Sequence, residues 1–225
     1  MQRQLEPELM DLPDEAEAYA AADFSDVNQA FVTRLLELTD NLASEPVRAA
    51  DLGTGPGGIA IGVASARPHW RIDAIDAAPA MIEIARRNLS AEHNRAVARS
   101  ITFHVDDVKH SQLPSTSYHT IFSNSLMHHL GDLLPLFREI RRMAKPGAVI
   151  LLRDLARPAS ASDARAIVDQ YAGRESKLLQ DEFYRSLLAA FTPDEIAAQL
   201  QDAGLTSLAV DRVTDRHLDV HGVLS

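Results

Sequence analysis

The chain has 225 residues, 46% hydrophobic and 24% charged, with a formal net charge of −10 and no cysteine. That is one globular domain with apolar matter enough for a substantial core, and its acidic balance argues against nucleic acid as the main partner, because phosphate binding needs a basic surface. Disulfides, cysteine zinc sites and thiol catalysis are excluded. The polar, acidic stretch 1–14 has no basic start followed by an apolar run, so no signal peptide is expected. No apolar stretch approaches the roughly 20 residues of a membrane span, and a cytoplasmic location is the expectation.

Residues 1–24 suggest short helices near 5–10 and 15–22, and from Asn28 the spacing of Phe31, Val32, Leu35 and Leu36 predicts an amphipathic helix. Residues 1–45 therefore read as an N-terminal helical cap. A strand over 47–52 runs into Asp51-Leu52-Gly53-Thr54-Gly55-Pro56-Gly57-Gly58, then a helix over 57–66. A second strand, 71–76, ends on Asp76, and Pro79 opens a helix carrying Met81, Ile82 and Ala85. A third strand, 101–105, ends at Asp106-Asp107. After a polar loop a fourth strand is expected over 118–123, then a helix with Leu133, Leu136, Phe137, Ile140 and Met143 on one face. The breaker Lys145-Pro146-Gly147 stops that helix. Arg138, Arg141, Arg142 and Lys145 at its end read as a solvated face that suits the helix dipole. The apolar run 148–152 is a fifth strand, covered on both faces.

Residues 158–204 interrupt the alternation with helices over 162–172, 175–190 and from Pro193, an inserted lid or substrate region. Thr192, Pro193 and Glu195 spell a capping box with proline at the first helical position. Strands at 207–213 and 217–224 then form an antiparallel hairpin at the sheet edge. The sum is an α/β fold: a doubly wound, mostly parallel sheet of seven strands.

The glycine cluster and Asp76 carry the functional signal. Glycines at a strand tip let the chain turn sharply and approach a ligand, and a carboxylate on the next strand tip suits ribose hydroxyls. Gly53, Gly55 and Gly58 fit the dinucleotide spacing, while Gly53, Gly55 and Gly57 fit a looser one. Asp51 weighs against a dinucleotide, because an acid there would oppose a pyrophosphate on the helix N-terminus. An NAD-dependent oxidoreductase is thus the weaker alternative.

Four motifs in order carry a resemblance: Asp51 to Gly57; Ala74-Ile75-Asp76 with Pro79 and Met81; Asp106-Asp107-Val108; and Ser123-Asn124-Ser125-Leu126-Met127-His128-His129-Leu130 before Lys145-Pro146-Gly147. With these the chain resembles the class I S-adenosylmethionine-dependent methyltransferases, in particular the small bacterial branch akin to the ubiquinone/menaquinone group. The resemblance implies a Rossmann-like methyltransferase fold, S-adenosylmethionine as cofactor and a small-molecule acceptor. It implies that Gly53, Thr54 and Gly55 lie along the cofactor's methionine part, with Asp51 near its amino group. Asp76 would accept the ribose hydroxyls, and Ala77 and Met81 would flank the adenine. Asp107 would meet the adenine amino group beside Val108, with Asp106 able to exchange roles. Asn124, Ser125 and, from the N-terminal segment, Tyr19 complete the implied cofactor set. A non-catalytic binder of the same cofactor, or another reaction of it, is the alternative of a different class.

For the chemistry, His128 and His129 at the fourth strand's tip are candidate general bases, since imidazole titrates near neutrality. The competing reading packs one under the helix and leaves the other bonding a loop. Asp154 could bind or deprotonate an acceptor, and Arg153 could hold a carboxylate, unless it pairs with a lid helix. Tyr184 is a second substrate candidate, although its spacing with Phe183, Leu187 and Leu188 fits core. His217 and His221 share a strand face that reads as solvated. No metal is expected: His128 and His129 should point apart, and His217 and His221 on a strand lie too far apart to share an ion.

Overall fold

The computed structural model describes residues 1–6, 16–17, 19–20, 22, 24–91 and 94–225. Helix α1 (Ser25–Leu38) precedes β1 (Arg48–Leu52), α2 (Gly58–Ala66), β2 (Arg71–Asp76), α3 (Pro79–Ser90), β3 (Ile101–Val105) and β4 (Tyr118–Asn124). Then come α4 (Leu134–Met143), β5 (Ala144–Leu155), three helices α5 (Ala161–Ala172), α6 (Lys177–Ala189) and α7 (Pro193–Asp202), and strands β6 (Ala209–Arg212) and β7 (His217–Val223). The seven strands form one sheet in the order β3-β2-β1-β4-β5-β7-β6. Strands β1 to β5 are parallel; β7 runs antiparallel between β5 and β6. The expected sheet, with its terminal hairpin, is the observed one.

Alternation along the strands divides the core. Ala49, Ala74, Phe122 and Leu151 face α1, α2 and α3, while Ala50, Ile75, Ile121 and Leu152 face α4 and α7. Small Ala49 and Ala50 at the sheet centre are fully buried, so helices pack closely on both faces. A third cluster joins α5 to α6 through Val168, Leu187 and Leu188. The chain order reverses between β1 and β4, and there the carboxyl ends of the strands open a crevice.

Local signals act as read, with three differences. The box at α7 forms: the Glu195 amide donates to the Thr192 hydroxyl, and Glu195 accepts from the Thr192 amide. Lys145-Pro146-Gly147 does not separate α4 from the fifth strand; β5 begins at Ala144, and the pairing with β4 shifts register between Tyr118 and Thr120 to absorb the extra length. Arg141 and Arg142 are not merely solvated. Arg142 pairs with Glu139 and donates to the Ser111 and Leu113 carbonyls, holding the loop before β4 against α4. Residues 5 and 6 are not helical, and the rest of the expected 5–10 helix lies outside the described residues; residues 16–17 and 19–20 of the second expected piece are helical.

Candidate active site at the carboxyl ends of the strands

The turn after β1 is shaped by backbone conformation. Gly53, Gly55 and Gly57 have φ of 70°, 53° and 81°, a region side chains resist. A Cβ on Gly53 would meet Leu126 at 2.8 Å and one on Gly57 would meet Phe103 at 2.9 Å, whereas one on Gly55 would meet nothing within 4 Å. The turn is therefore closed at its ends and open at its middle. The amides of Gly53 and Thr54 donate to the Ile75 carbonyl, which locks the turn to the β2 tip.

Two carboxylates border this opening. Asp51 is 2% exposed and accepts from the Thr54 hydroxyl at 2.7 Å. Burial pushes its carboxyl up to about 7, against that hydrogen bond and with Asp76 adding to the rise. Asp76 accepts from the Gly55 amide at 2.8 Å and the Ala78 amide at 2.9 Å. Burial raises its carboxyl too, and the two amides oppose the rise. Ala77 is half-buried beside it, and Met81 is buried against Ala16 and Tyr19. Tyr19 stacks near Phe24, with ring centres 4.9 Å apart. Burial pushes its phenol up to about 12, with Asp76 and Asp154 adding to the shift.

At the β3 tip the adjacent acids differ. Asp106 spends both oxygens inside its own turn, accepting from the amides of Asp107 and Gln112. Asp107 accepts from the Lys109 amide through one oxygen, and its side chain is half exposed. Val108 is buried in the core. At the β4 tip Ser125 adopts φ of 58°, uncommon for a side-chain-bearing residue, and donates its amide to the Arg153 carbonyl. Asn124 donates to the Ser125 hydroxyl.

Beyond Ser125 a single helical turn, Met127–His129, brings four titratable groups together. The buried Asp154 accepts from the His128 ring Nδ1 at 2.5 Å and from the His128 and Leu155 amides. Glu6 lies with one oxygen 3.5 Å from His128 Nε2 and 3.2 Å from His129 Nδ1. Ser186 of α6 donates to the Glu6 carboxylate. Burial disfavours charge on His128, but Asp154 and then Glu6 outweigh it and hold the imidazole above its ordinary value. Burial likewise opposes ionisation of Asp154, and His128 overrides it, so that carboxyl sits below the usual range. Glu6 is raised, chiefly by burial. Arg3 fixes the N-terminal segment: it donates to the carbonyls of His128, Leu130, Gly131 and Ala189 and lies over the Phe191 ring.

The structure parts some of the candidates from this cluster. The His128 and His129 rings do not point apart; their centres are 4.2 Å from each other on the tight helical turn that carries both. Arg153 turns to the opposite face of β5 and pairs in a bidentate manner with the buried Asp219 of β7, rather than with a lid helix. Tyr184 packs with the α5–α6 cluster under the Arg165 guanidinium, 3.9 Å from its ring centre. His217 is partly buried rather than solvated, pushed down to about 4 by burial with Arg216 and Arg153 nearby, and His221 pairs with Asp211. Glu6 and Arg3 escaped the sequence reading. Only three-dimensional proximity marks them, since neither stands in a motif. A surface cleft lined by Arg48, His69, Arg71 and His119 lies at the other end of the sheet, away from all these groups.

The fold and site define a protein suited to a nucleoside with a cationic amino-acid end: carboxylates and an open glycine turn fit that ligand. Comparison with known proteins agrees. Residues 49–147 match the family model described as a methyltransferase domain. Malonyl-[acyl-carrier protein] O-methyltransferase of Geobacter sulfurreducens is 31% identical over 215 residues, covering 92% of this chain and 73% of that protein. Release factor glutamine methyltransferase of Coxiella burnetii is 39% identical over 80 residues, and there the chain spans 27% of the relative's length. Among solved structures, a SAM-dependent methyltransferase from Aquifex aeolicus superposes with a TM-score of 0.67 at 18% identity, over 95% of this chain and 99% of that one. The plantazolicin methyltransferase BpumL superposes with a TM-score of 0.72 at 14% identity, over 95% and 91%. The chain belongs to the class I S-adenosylmethionine-dependent methyltransferases, and S-adenosylmethionine is its cofactor. Among the described residues no helix is long and apolar enough to cross a membrane.

Proposed function

We propose that the chain methylates a hydroxyl group of a small organic acceptor, with His128 as the proton-accepting base and Asp154 as its positioning partner. The carrying observation is the buried Asp154–His128 pair on the segment whose Leu126 packs over the glycine turn at Gly53, with His128 Nε2 3.5 Å from Glu6. Asp154 takes the proton-bearing Nδ1, so the Nε2 lone pair is left to receive a proton, and the carboxylate then stabilises the imidazolium. His129 and Glu6 line the same space and receive the acceptor's polar groups.

When bound, the cofactor supplies a methyl group on a sulfonium, with a neutral thioether as leaving group. Asp51 faces the cofactor's ammonium, and Gly53, Thr54 and Gly55 lie along its methionine part. Asp76 has lone pairs beyond those its two amides use, and these accept the ribose hydroxyls. Asp107 meets the adenine amino group, because Asp106 is committed to its own turn. Ala77, Met81 and Val108 border the ring, and Asn124, Ser125 and Tyr19 close the sulfonium end.

The charge around the cluster favours a hydroxyl over a carboxylate acceptor. Arg3 and Arg157 beside the cluster are engaged by backbone carbonyls and Glu195 respectively. Glu6 and Asp154 would repel an anion. Incubation with methyl-labelled S-adenosylmethionine and parallel panels of phenols and alcohols, amines, and carboxylic acids tests this by mass spectrometry of products. Methylated hydroxyl products are expected. Methyl esters from the acid panel alone would overturn the reading.

A further inference from the structure

We infer that Glu6, His128 and His129 form a binding site for one divalent transition-metal ion of the zinc class. One Glu6 oxygen, His128 Nε2 and His129 Nδ1 all lie within 4.8 Å of one another. The measured separations from the Glu6 oxygen, 3.5 Å and 3.2 Å, match a common ion. Donors bound at about 2.0–2.2 Å with near-tetrahedral angles stand roughly 3.4 Å apart.

Two of the three donors are already oriented by further groups, as metal ligands generally are. His128 gives Nδ1 to Asp154, which fixes the tautomer with the Nε2 lone pair free for coordination and raises its basicity. The Ser186 hydroxyl steadies the Glu6 carboxylate. Two imidazoles and one carboxylate select zinc, cobalt or nickel over magnesium and calcium, which prefer all-oxygen shells. Three protein donors also leave coordination positions for water or an acceptor.

The site needs residues from both ends of a long sequence interval. Glu6 arrives on the segment that Arg3 fastens to the His128, Leu130 and Gly131 carbonyls. The inference goes beyond the methyl-transfer reading and does not depend on it. Where both hold, ion and acceptor proton compete for the same lone pair on His128, so a loaded site slows proton removal.

The test is titration of the chelator-stripped full chain with cobalt(II), followed by visible absorption and calorimetry, with magnesium in parallel. The expected result is one cobalt per chain with the bands of a low-coordinate nitrogen–oxygen site, and no comparable binding of magnesium. Glu6→Gln and His129→Ala should each weaken cobalt binding at least tenfold. S-adenosylhomocysteine binding, measured on the same samples, should stay unchanged and reports an intact fold; if one variant loses it, the other decides. Absence of stoichiometric cobalt binding to the wild-type chain overturns the inference, as does binding that survives both substitutions in folded protein.

Discussion

The two halves of the crevice are built in opposite ways. The half proposed to hold the cofactor draws on consecutive strand tips, from Asp51 through Asp76 to Val108, and much of its shape is backbone: three left-handed glycines and amides donated to Asp76. The half proposed to receive the acceptor is assembled from distant places, with Glu6 and Arg3 at the start, His128 and His129 after β4, Asp154 on β5 and Ser186 on α6. The first half is defined by local geometry and serves one ligand. The second is side-chain chemistry gathered by the fold, where substrate choice is free to vary without disturbing the turn.

That contrast sets the order of expected effects. The largest belongs to the acceptor half: His128→Asn should lower the methyl-transfer rate by ~10²–10⁴-fold, the usual worth of a positioned base, while leaving S-adenosylhomocysteine affinity nearly unchanged. Asp154 keeps the Leu155 amide as a donor, so the variant retains a partner for its buried carboxylate. Steady-state rates within tenfold of wild type would remove His128 from the chemistry.

Next is Asp76→Ala, which should cost roughly 1–3 kcal/mol of cofactor affinity by leaving ribose hydroxyls unpaired. Melting should also fall, because the Gly55 and Ala78 amides lose their acceptor. Calorimetry with S-adenosylhomocysteine checks the affinity; an unchanged dissociation constant would detach Asp76 from the ribose.

A pH dependence then separates the halves. Asp51 is raised to about 7 in the folded, ligand-free chain, so between the ordinary carboxylate value and that point the folded state binds more protons than the unfolded one. This group's contribution to stability is then full at low pH and is lost as pH rises toward about 7, with a slope of at most about 1.4 kcal/mol per pH unit. An ammonium beside Asp51 favours the ionised form, so S-adenosylmethionine affinity should climb over the same window and level off above it. Asp51→Asn should flatten the climb. A wild-type affinity as flat as that of the variant would place the ammonium elsewhere.

The sheet was legible because its signals are local, and the strand tips proposed to hold the cofactor stand in the same motifs. Apolar runs ended by acids and glycines mark β1, β2 and β3, and Thr192-Pro193-Asp194-Glu195 marks the start of α7 by its own hydrogen bonds. The acceptor half was legible only at His128, His129 and Asp154, which stand at strand ends. Glu6 lies in a segment with no period or motif and gains meaning only when Arg3 fastens it down. Arg153 misled for a physical reason: neighbours on a strand face opposite ways, so Asp154 and Arg153 could not both reach the same site. The two histidines misled because a tight helical turn follows β4, and no residue in Leu126-Met127-His128-His129 announces it.

The placement of β7 inside the sheet leaves β3 and β6 as its two borders. Unpaired backbone along such a border can recruit strands from other molecules, the usual start of aggregation. Here β6 is four residues long and mostly exposed, and it carries Asp211 and Arg212 on its rim. A short, charged border gives an approaching strand few amides to zip onto and sets ions against it. The terminal hairpin thus gives the sheet one border that is a poor template for another strand.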